Sequence, residues 1–365
     1  MARLDDIRRT VRELTDGLDV RDAPGTFRRD AIKAYGVLGR EQLLTPEPAG
    51  FLGRWWFRTR VVFVGLSSKL SPPRRLLFIV CVALAVYGVV DLPGSGVGIL
   101  AGSTPLALAV VGLVLLLALE LADRVLVRDE LEVARQLQRE LLPSRAPALE
   151  GYSFAFSYRT ANTIGGDYYD FLPAGDGRLA LVVGDASGHG IAAGLVMAIA
   201  NAALRMAIDL DPSPAAVMGL VNRALYRCGG PQAFMTCFYG LLDPESGRLD
   251  YACAGHPYPL LRRADGEVVE LGSGALPLGL RPAATPAKGS ESVRPGDLLL
   301  MYTDGVPETL DREENAYGFD TLRIEAAAGG DARVVHDRIT SSLERFAGGA
   351  PLVDDRSLVV ITRTG

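Results

Sequence analysis

Between Leu76 and Leu119 the chain carries one charged side chain, Asp91. Leu76–Val90 is apolar without a break, and Val97–Leu119 is interrupted only by Ser103, Thr104 and Pro105. A helix that crosses a bilayer needs about 20 apolar residues; the second run reaches that length and the first approaches it. Residues 76–119 therefore read as two transmembrane helices, with a pair of buried core helices as the alternative. Arg54, Arg58, Arg60, Lys69, Arg74 and Arg75 precede the hairpin, and Arg124, Arg128, Arg135 and Arg139 follow it. That bias places both ends in the cytoplasm and the chain in the cell (inner) membrane. The charged stretch before the first run is too long for the n-region of a signal peptide.

The flanks are less constrained. Residues 1–75 form a basic region of unknown role, in which Leu4–Leu18 reads as a short amphipathic helix. Phe51–Leu66 mixes Trp55, Trp56 and Phe57 with arginines, as an interfacial segment or an ordinary packing helix does. Residues 120–143 form a linker helix: apolar positions 119, 122, 126, 133, 137 and 141 recur at helical spacing, and Pro143 ends it. A spacer and a parallel two-stranded coil that makes a homodimer both fit, Asp129 and Gln136 interrupting the seam. Cys81, Cys228, Cys237 and Cys253 are isolated, so neither a zinc site nor a disulfide framework is indicated. The net charge of −5 and the lack of a basic tract argue against nucleic acid as a partner.

From Tyr152 onward the pattern is strands punctuated by turns, with helices over Gly190–Asp209, Pro214–Cys228 and Asp331–Phe346. Strands are expected at Tyr152–Tyr158, Leu179–Val183, Ala233–Leu242, Leu249–Ala252, Tyr258–Arg262, Glu267–Leu271, Asp297–Tyr302 and Ser357–Thr362. The fold class is α+β with antiparallel sheets, not a doubly wound parallel sheet. Neither a phosphate-binding loop nor a dinucleotide fingerprint is present.

Four aspartates carry the chemistry. Asp167, Asp185, Asp304 and Asp354 each begin or end a short apolar run beside glycines or small residues. Carboxylates projected into one pocket raise one another's pKa unless a cation neutralises them. Donors that are all oxygens suit a hard divalent ion.

The motifs around them are Gly165-Gly166-Asp167-Tyr168-Tyr169-Asp170-Phe171, Gly184-Asp185-Ala186-Ser187-Gly188-His189-Gly190, Ala254-Gly255-His256-Pro257, Tyr302-Thr303-Asp304-Gly305 and Asp354-Asp355-Arg356-Ser357. In this order they resemble the metal-dependent serine/threonine protein phosphatases (PPM superfamily), within them the bacterial SpoIIE-like branch. The resemblance runs from Gln136 to the C-terminus, making residues 150–365 the phosphatase domain. It implies a two-sheet antiparallel β-sandwich flanked by helices, and two Mn²⁺ or Mg²⁺ ions that activate a water. Asp185 would bridge both ions; Asp304 and Asp354 would hold one, Asp167 and the Ala186 carbonyl the other.

Other residues have two readings. His189 is either the acid that protonates the leaving oxygen or a turn former bonded to nearby backbone. His256 reads as structural and His336 as solvated. Asp170 reads as support behind the ligands, and Asp354 ranks ahead of Asp355 as the ligand. Arg159 either steers a phosphate or is a surface arginine, and Thr236 reads as a plain strand residue. Glu308–Phe319 reads as a mobile flap. Relatives usually carry asparagine at the position of Cys253, which bears on one supporting hydrogen bond. The expected activity is hydrolysis of phosphoserine or phosphothreonine on a bacterial regulatory protein, such as an anti-sigma-factor antagonist. A catalytically silent binding module and a two-metal small-molecule phosphatase are the rivals.

Overall fold

The structure, a computed structural model, describes residues 50–91, 100–228, 230, 233–283 and 286–365. The helix expected at Leu4–Leu18 and the connection between the two apolar runs lie outside the described residues. The chain divides into two compact units, residues 1–126 and 127–365.

In the first unit, Phe51–Lys69 is a helix (α1), followed by α2 (Pro72–Asp91) and α3 (Leu100–Glu140), which continues into the second unit. Phe63 of α1 stacks on Phe78 of α2 with ring centroids 5.4 Å apart. Val61, Cys81, Ala109 and Leu116 are buried, and a Cβ at Gly112 would collide with Cys81 Sγ, a close helix approach that a small residue permits. Arg74 at the start of α2 pairs with Glu120 at 3.0 Å and with Asp123, beyond the apolar run of α3. Leu76, Val86, Val111, Val114 and Leu117 are exposed. By length and composition, Pro72–Val89 and the helix from Thr104 can each cross a membrane. The same criterion admits Ile191–Leu210, but there the apolar side chains are used inside the second unit.

That unit is a four-layer sandwich. One sheet has the order β1 (Tyr152–Arg159), β10 (Arg356–Arg363), β9 (Leu298–Tyr302), β6 (Leu260–Arg262), β7 (Val268–Glu270). The other runs β2 (Asp167–Pro173), β3 (Leu179–Ala186), β4 (Met235–Leu242), β5 (Arg248–Ala254), β8 (Ala287–Ser292). Every neighbouring pair is antiparallel. Successive side chains of β3 point to opposite faces, so Leu181 and Val183 join the core between the sheets while Ala180 and Val182 face helices. Helices α4 (Ile191–Leu210) and α5 (Pro214–Cys228) cover the second sheet. Helices α6 (Phe319–Ala327) and α7 (Ala332–Ala347) cover the first. Cover on both faces explains why Leu179–Val183 of β3 and the whole of β9 read as unbroken apolar runs. Each large side chain fully buried there, such as Phe238 or Leu204, contributes roughly 1.5–3 kcal/mol.

The two-sheet sandwich agrees with the expected fold. Strands β2 and β8 and helix α6 were missed. Asp167 and Asp170 break the apolar pattern of β2, and β8 (AKGSES) is an alternating edge strand with charged side chains, a composition that blunts edges against further pairing. The Glu308–Phe319 stretch is a looped segment closed by the Leu310–Ala316 bridge, with Asp311 accepting from the backbone of Glu313 and Asn315.

Candidate metal centre

Register brings the aspartates to one end of the sandwich. Asp167, the first residue of β2, pairs directly with Asp185 near the end of β3, and Asp185 pairs with Thr236 at the start of β4. In the facing sheet, Tyr302 closes β9 opposite Leu358 of β10. Thr303-Asp304 thus leaves the sheet at the same end where Asp354-Asp355 enters it.

Two cross-sheet links set this end. The Thr303 hydroxyl donates to Asp167 Oδ2 at 2.6 Å, and Thr303 Oγ1 accepts from the Ser357 amide at 3.0 Å. His256 spans the same gap, with Nε2 3.0 Å from the Tyr302 carbonyl and Nδ1 2.9 Å from Thr236 Oγ1. A carbonyl only accepts, so Nε2 carries the proton and Nδ1 accepts from Thr236. Burial pushes His256 down to about 3, which keeps it neutral. The structural reading of His256 thus matches the geometry, while Thr236 does more than fill a strand. Cys253 Sγ donates to the His256 carbonyl at 3.4 Å, so the turn keeps a bond from that position.

Asp167 is 1% exposed, and burial, then the charge of Asp185, push it well above the usual carboxylate range, against the Thr303 bond. Asp185 is pushed up to about 8 by burial first, then by Asp304, Asp354 and Asp355. Asp304 rises to about 6 through burial, Asp354 and Glu308. Asp355 has a different task. It is buried and accepts from the amides of Ala161 at 2.8 Å and Gly166 at 2.7 Å, holding the loop that leads to Asp167. Asp354 is exposed, and its side chain accepts from the Asp355 amide.

Close approach at this end depends on glycine. A Cβ at Gly166 would lie 2.7 Å from the Ala186 carbonyl oxygen and 3.0 Å from Asp185 Oδ1. One at Gly305 would collide with the Asp355 carbonyl. As they stand, no three acidic, histidine or cysteine side chains among the described residues are close enough to enclose an ion. The donors are nonetheless all oxygens, and their mutual repulsion is what a hard divalent cation relieves. The residues present fit such an ion.

Asp170 faces the helix layer, accepting from Tyr168 Oη at 2.9 Å and Arg205 at 2.7 Å, because it is an odd number of residues from Asp167 along β2. It ties α4 to the sheet and touches none of the other aspartates. His336 is packed, not solvated: its side chain is 12% exposed and Nε2 lies 2.8 Å from Ser157 Oγ. Arg159 pairs with Glu344 at 2.7 Å. His189 is exposed on the turn before α4, without a side-chain hydrogen bond among the described residues, so the turn-forming bond is not made.

Sequence reading missed Gln138. Its side chain is buried near the end of α3, donating to the Gly165 carbonyl at 2.5 Å and accepting from the Gly165 amide at 3.1 Å. The linker helix therefore grips the backbone two residues before Asp167. A glutamine among charged residues on a helix gives no sign of such a contact.

Residues 175–364 match the model for stage II sporulation protein E (SpoIIE), just over half of the chain. The chain belongs to the SpoIIE family. Among curated relatives of this SpoIIE-family chain, Protein IcfG of Synechocystis sp. is 27% identical over 276 residues, 68% of this chain and 43% of that protein. Phosphoserine phosphatase RsbU of Bacillus subtilis is 26% identical over 192 residues, 52% of this chain and 56% of that protein. The chain thus matches about half the length of these relatives. The solved SiaA-PP2C domain of Pseudomonas aeruginosa superposes with a TM-score of 0.58 at 23% identity, over 66% of this chain and 98% of that one. That likeness supports the fold, a PP2C-type sandwich.

Proposed function

We propose that this SpoIIE-family chain is a metal-dependent protein phosphatase that hydrolyses phosphoserine or phosphothreonine on a bacterial regulatory protein. The observation that carries the reading is the crowding of Asp185 by Asp304 and Asp354 at the end where Asp167 pairs with it. The similarity to RsbU, a phosphoserine phosphatase by name, supports the substrate class. An anti-sigma-factor antagonist in its phosphorylated form is the candidate partner.

In this reading Asp185, shared between two ions, would hold them together with Asp304 and Asp354 on one side and Asp167 and the Ala186 carbonyl on the other. When bound, Mn²⁺ or Mg²⁺ supplies charge relief to the phosphoryl oxygens and a water deprotonated near neutral pH. Asp355 keeps the Asp167 loop in place through Ala161 and Gly166, and leaves Asp354 to serve as ligand. His189, exposed on the same loop as Asp185, gives a proton to the leaving serine or threonine oxygen. Residues 76–119 anchor the protein in the cell membrane with the phosphatase domain in the cytoplasm. The linker helix pairs two copies: Leu126, Val133 and Leu137 are exposed along it.

The test is Mn²⁺-dependent hydrolysis of an aryl phosphate and of a phosphoserine protein by the full chain, beside Asp185→Asn. Turnover of both substrates, abolished by chelator and in the variant, is expected. Divalent binding without turnover of either would replace the enzyme with a silent binding module.

A further inference from the structure

A cavity of about 370 Å³ lies between the last turns of α3 and the end of β1. Arg135, Gln138 and Arg139 line it from the helix, and Tyr158, Arg159 and Thr160 from the strand and the residue after it. None of the four proposed metal ligands reaches it, and no carboxylate lines it. Its polar groups are dominated by donors. Arg135 Nε and the Tyr158 hydroxyl are buried there without a hydrogen-bond partner. The Arg139 side chain makes no ion pair or hydrogen bond among the described residues, and it is exposed. Arg159 spends one contact on Glu344, and Arg135 reaches Glu132 only at 3.5 Å and through another nitrogen. Burial and then the Arg159 charge push Arg356 below the usual guanidinium range, while burial and then the charges of Asp355, Asp167 and Asp185 push the Tyr158 hydroxyl up, so the three arginines supply the attraction for an anion.

Buried donors without acceptors are unfavourable, and guanidinium groups are matched by oxyanions that accept several hydrogen bonds at once. A planar carboxylate offers two oxygens in one plane. A tetrahedral phosphoryl group offers three or more, which suits guanidinium and hydroxyl donors arriving from two elements. We infer that this cavity is a binding site for a phosphoryl dianion, either free phosphate or a small phosphomonoester, separate from the metal centre. Its ligand ties α3 to β1 beside Gln138, whose side chain holds Gly165 ahead of Asp167. Occupancy therefore stabilises the helix in the position that orders the Asp167 loop. The inference stands whether or not the metal centre hydrolyses phosphoproteins.

The test is calorimetric titration of the full chain, stripped of divalent ions so that the metal centre holds no phosphate. Inorganic phosphate and free phosphoserine are titrated separately, against chloride at matched ionic strength. Saturable binding is expected, weakened at least about tenfold by Arg139→Gln or Arg135→Gln, since each removes a charge-assisted bond. Tyr158→Phe, which keeps the ring, weakens it less. Equal affinity for both ligands assigns the site to phosphate itself; tighter phosphoserine assigns it to a phosphomonoester. A response that chloride reproduces, no saturable binding of either ligand, or unchanged isotherms in the Arg135→Gln/Arg139→Gln protein overturns the inference. Arg139 is exposed, so loss of fold does not account for its effect.

Discussion

The Thr303 hydroxyl donates to Asp167 Oδ2 across 2.6 Å, from the end of one sheet to the first residue of a strand in the other. The same oxygen accepts from the Ser357 amide, so one side chain fixes three segments at the carboxylate end. Thr303→Val keeps the shape and removes both bonds. The buried Asp167 carboxylate and the Ser357 amide lose a partner, a loss of roughly 1–3 kcal/mol for each buried group left unmatched. Thermal unfolding should show a marked destabilisation and Mn²⁺ titration a weaker affinity, while Thr303→Ser stays near wild type in both.

Protons compete with cations at this centre. Asp185 and Asp304 move from 3.8 to about 8 and about 6 in the fold. The metal-free native state therefore holds protons that the unfolded chain has released between these values. Stability of the metal-free protein is fully present below about pH 3.8 on account of these groups, and is lost as pH rises through about 6 and about 8. Melting temperature without divalent ions should fall across that window. Saturating Mg²⁺, which binds the deprotonated carboxylates, should reverse the trend. A metal-free melting temperature that rises from about pH 6 to about pH 8 would contradict this electrostatic account.

Asp185→Asn separates stability from function. Removing the most crowded carboxylate relieves repulsion in the metal-free state, so the variant should melt higher than wild type above about pH 8. The same variant should lose divalent-dependent hydrolysis. Paired melting and turnover measurements check both halves.

Gly166→Ala probes close approach without touching a charge. Its Cβ would stand 2.7 Å from the Ala186 oxygen, a backbone atom that cannot swing away. Crowding of this kind costs about 1–3 kcal/mol, and the displaced carbonyl should weaken divalent binding at least about tenfold. Titration calorimetry with Mn²⁺ reads the second effect directly.

Gln138→Ala tests the grip of the linker helix. It leaves the Gly165 amide and carbonyl without their partner, so the Asp167 loop loosens. A rise in the Mn²⁺ concentration for half-maximal turnover, with little change in the turnover reached at saturation, is the expected outcome. Proline at Val133 or Leu137 should alter activity or oligomeric state if the helix also pairs two copies.

Local patterns made much of this protein legible. Two uncharged runs around Asp91 marked the helices α2 and α3, and apolar runs such as Leu179–Val183 marked strands. Asp167, Asp185, Asp304 and Asp354 stood out as candidates because each begins or ends such a run beside small residues. Contacts between distant segments were not legible. Nothing near Gln138 or Thr303 announces a partner 27 or 136 residues away, and nothing in Asp354-Asp355 says which carboxylate the backbone consumes. A strand's alternation placed Asp170 opposite Asp167, but only the packing of α4 supplied the Arg205 that occupies it. Sequence by itself determined which groups are available, since residue type sets charge and donor capacity. The tertiary structure decided which of them remain free to bind, because antiparallel register and sheet-on-sheet packing assign each buried polar group its partner.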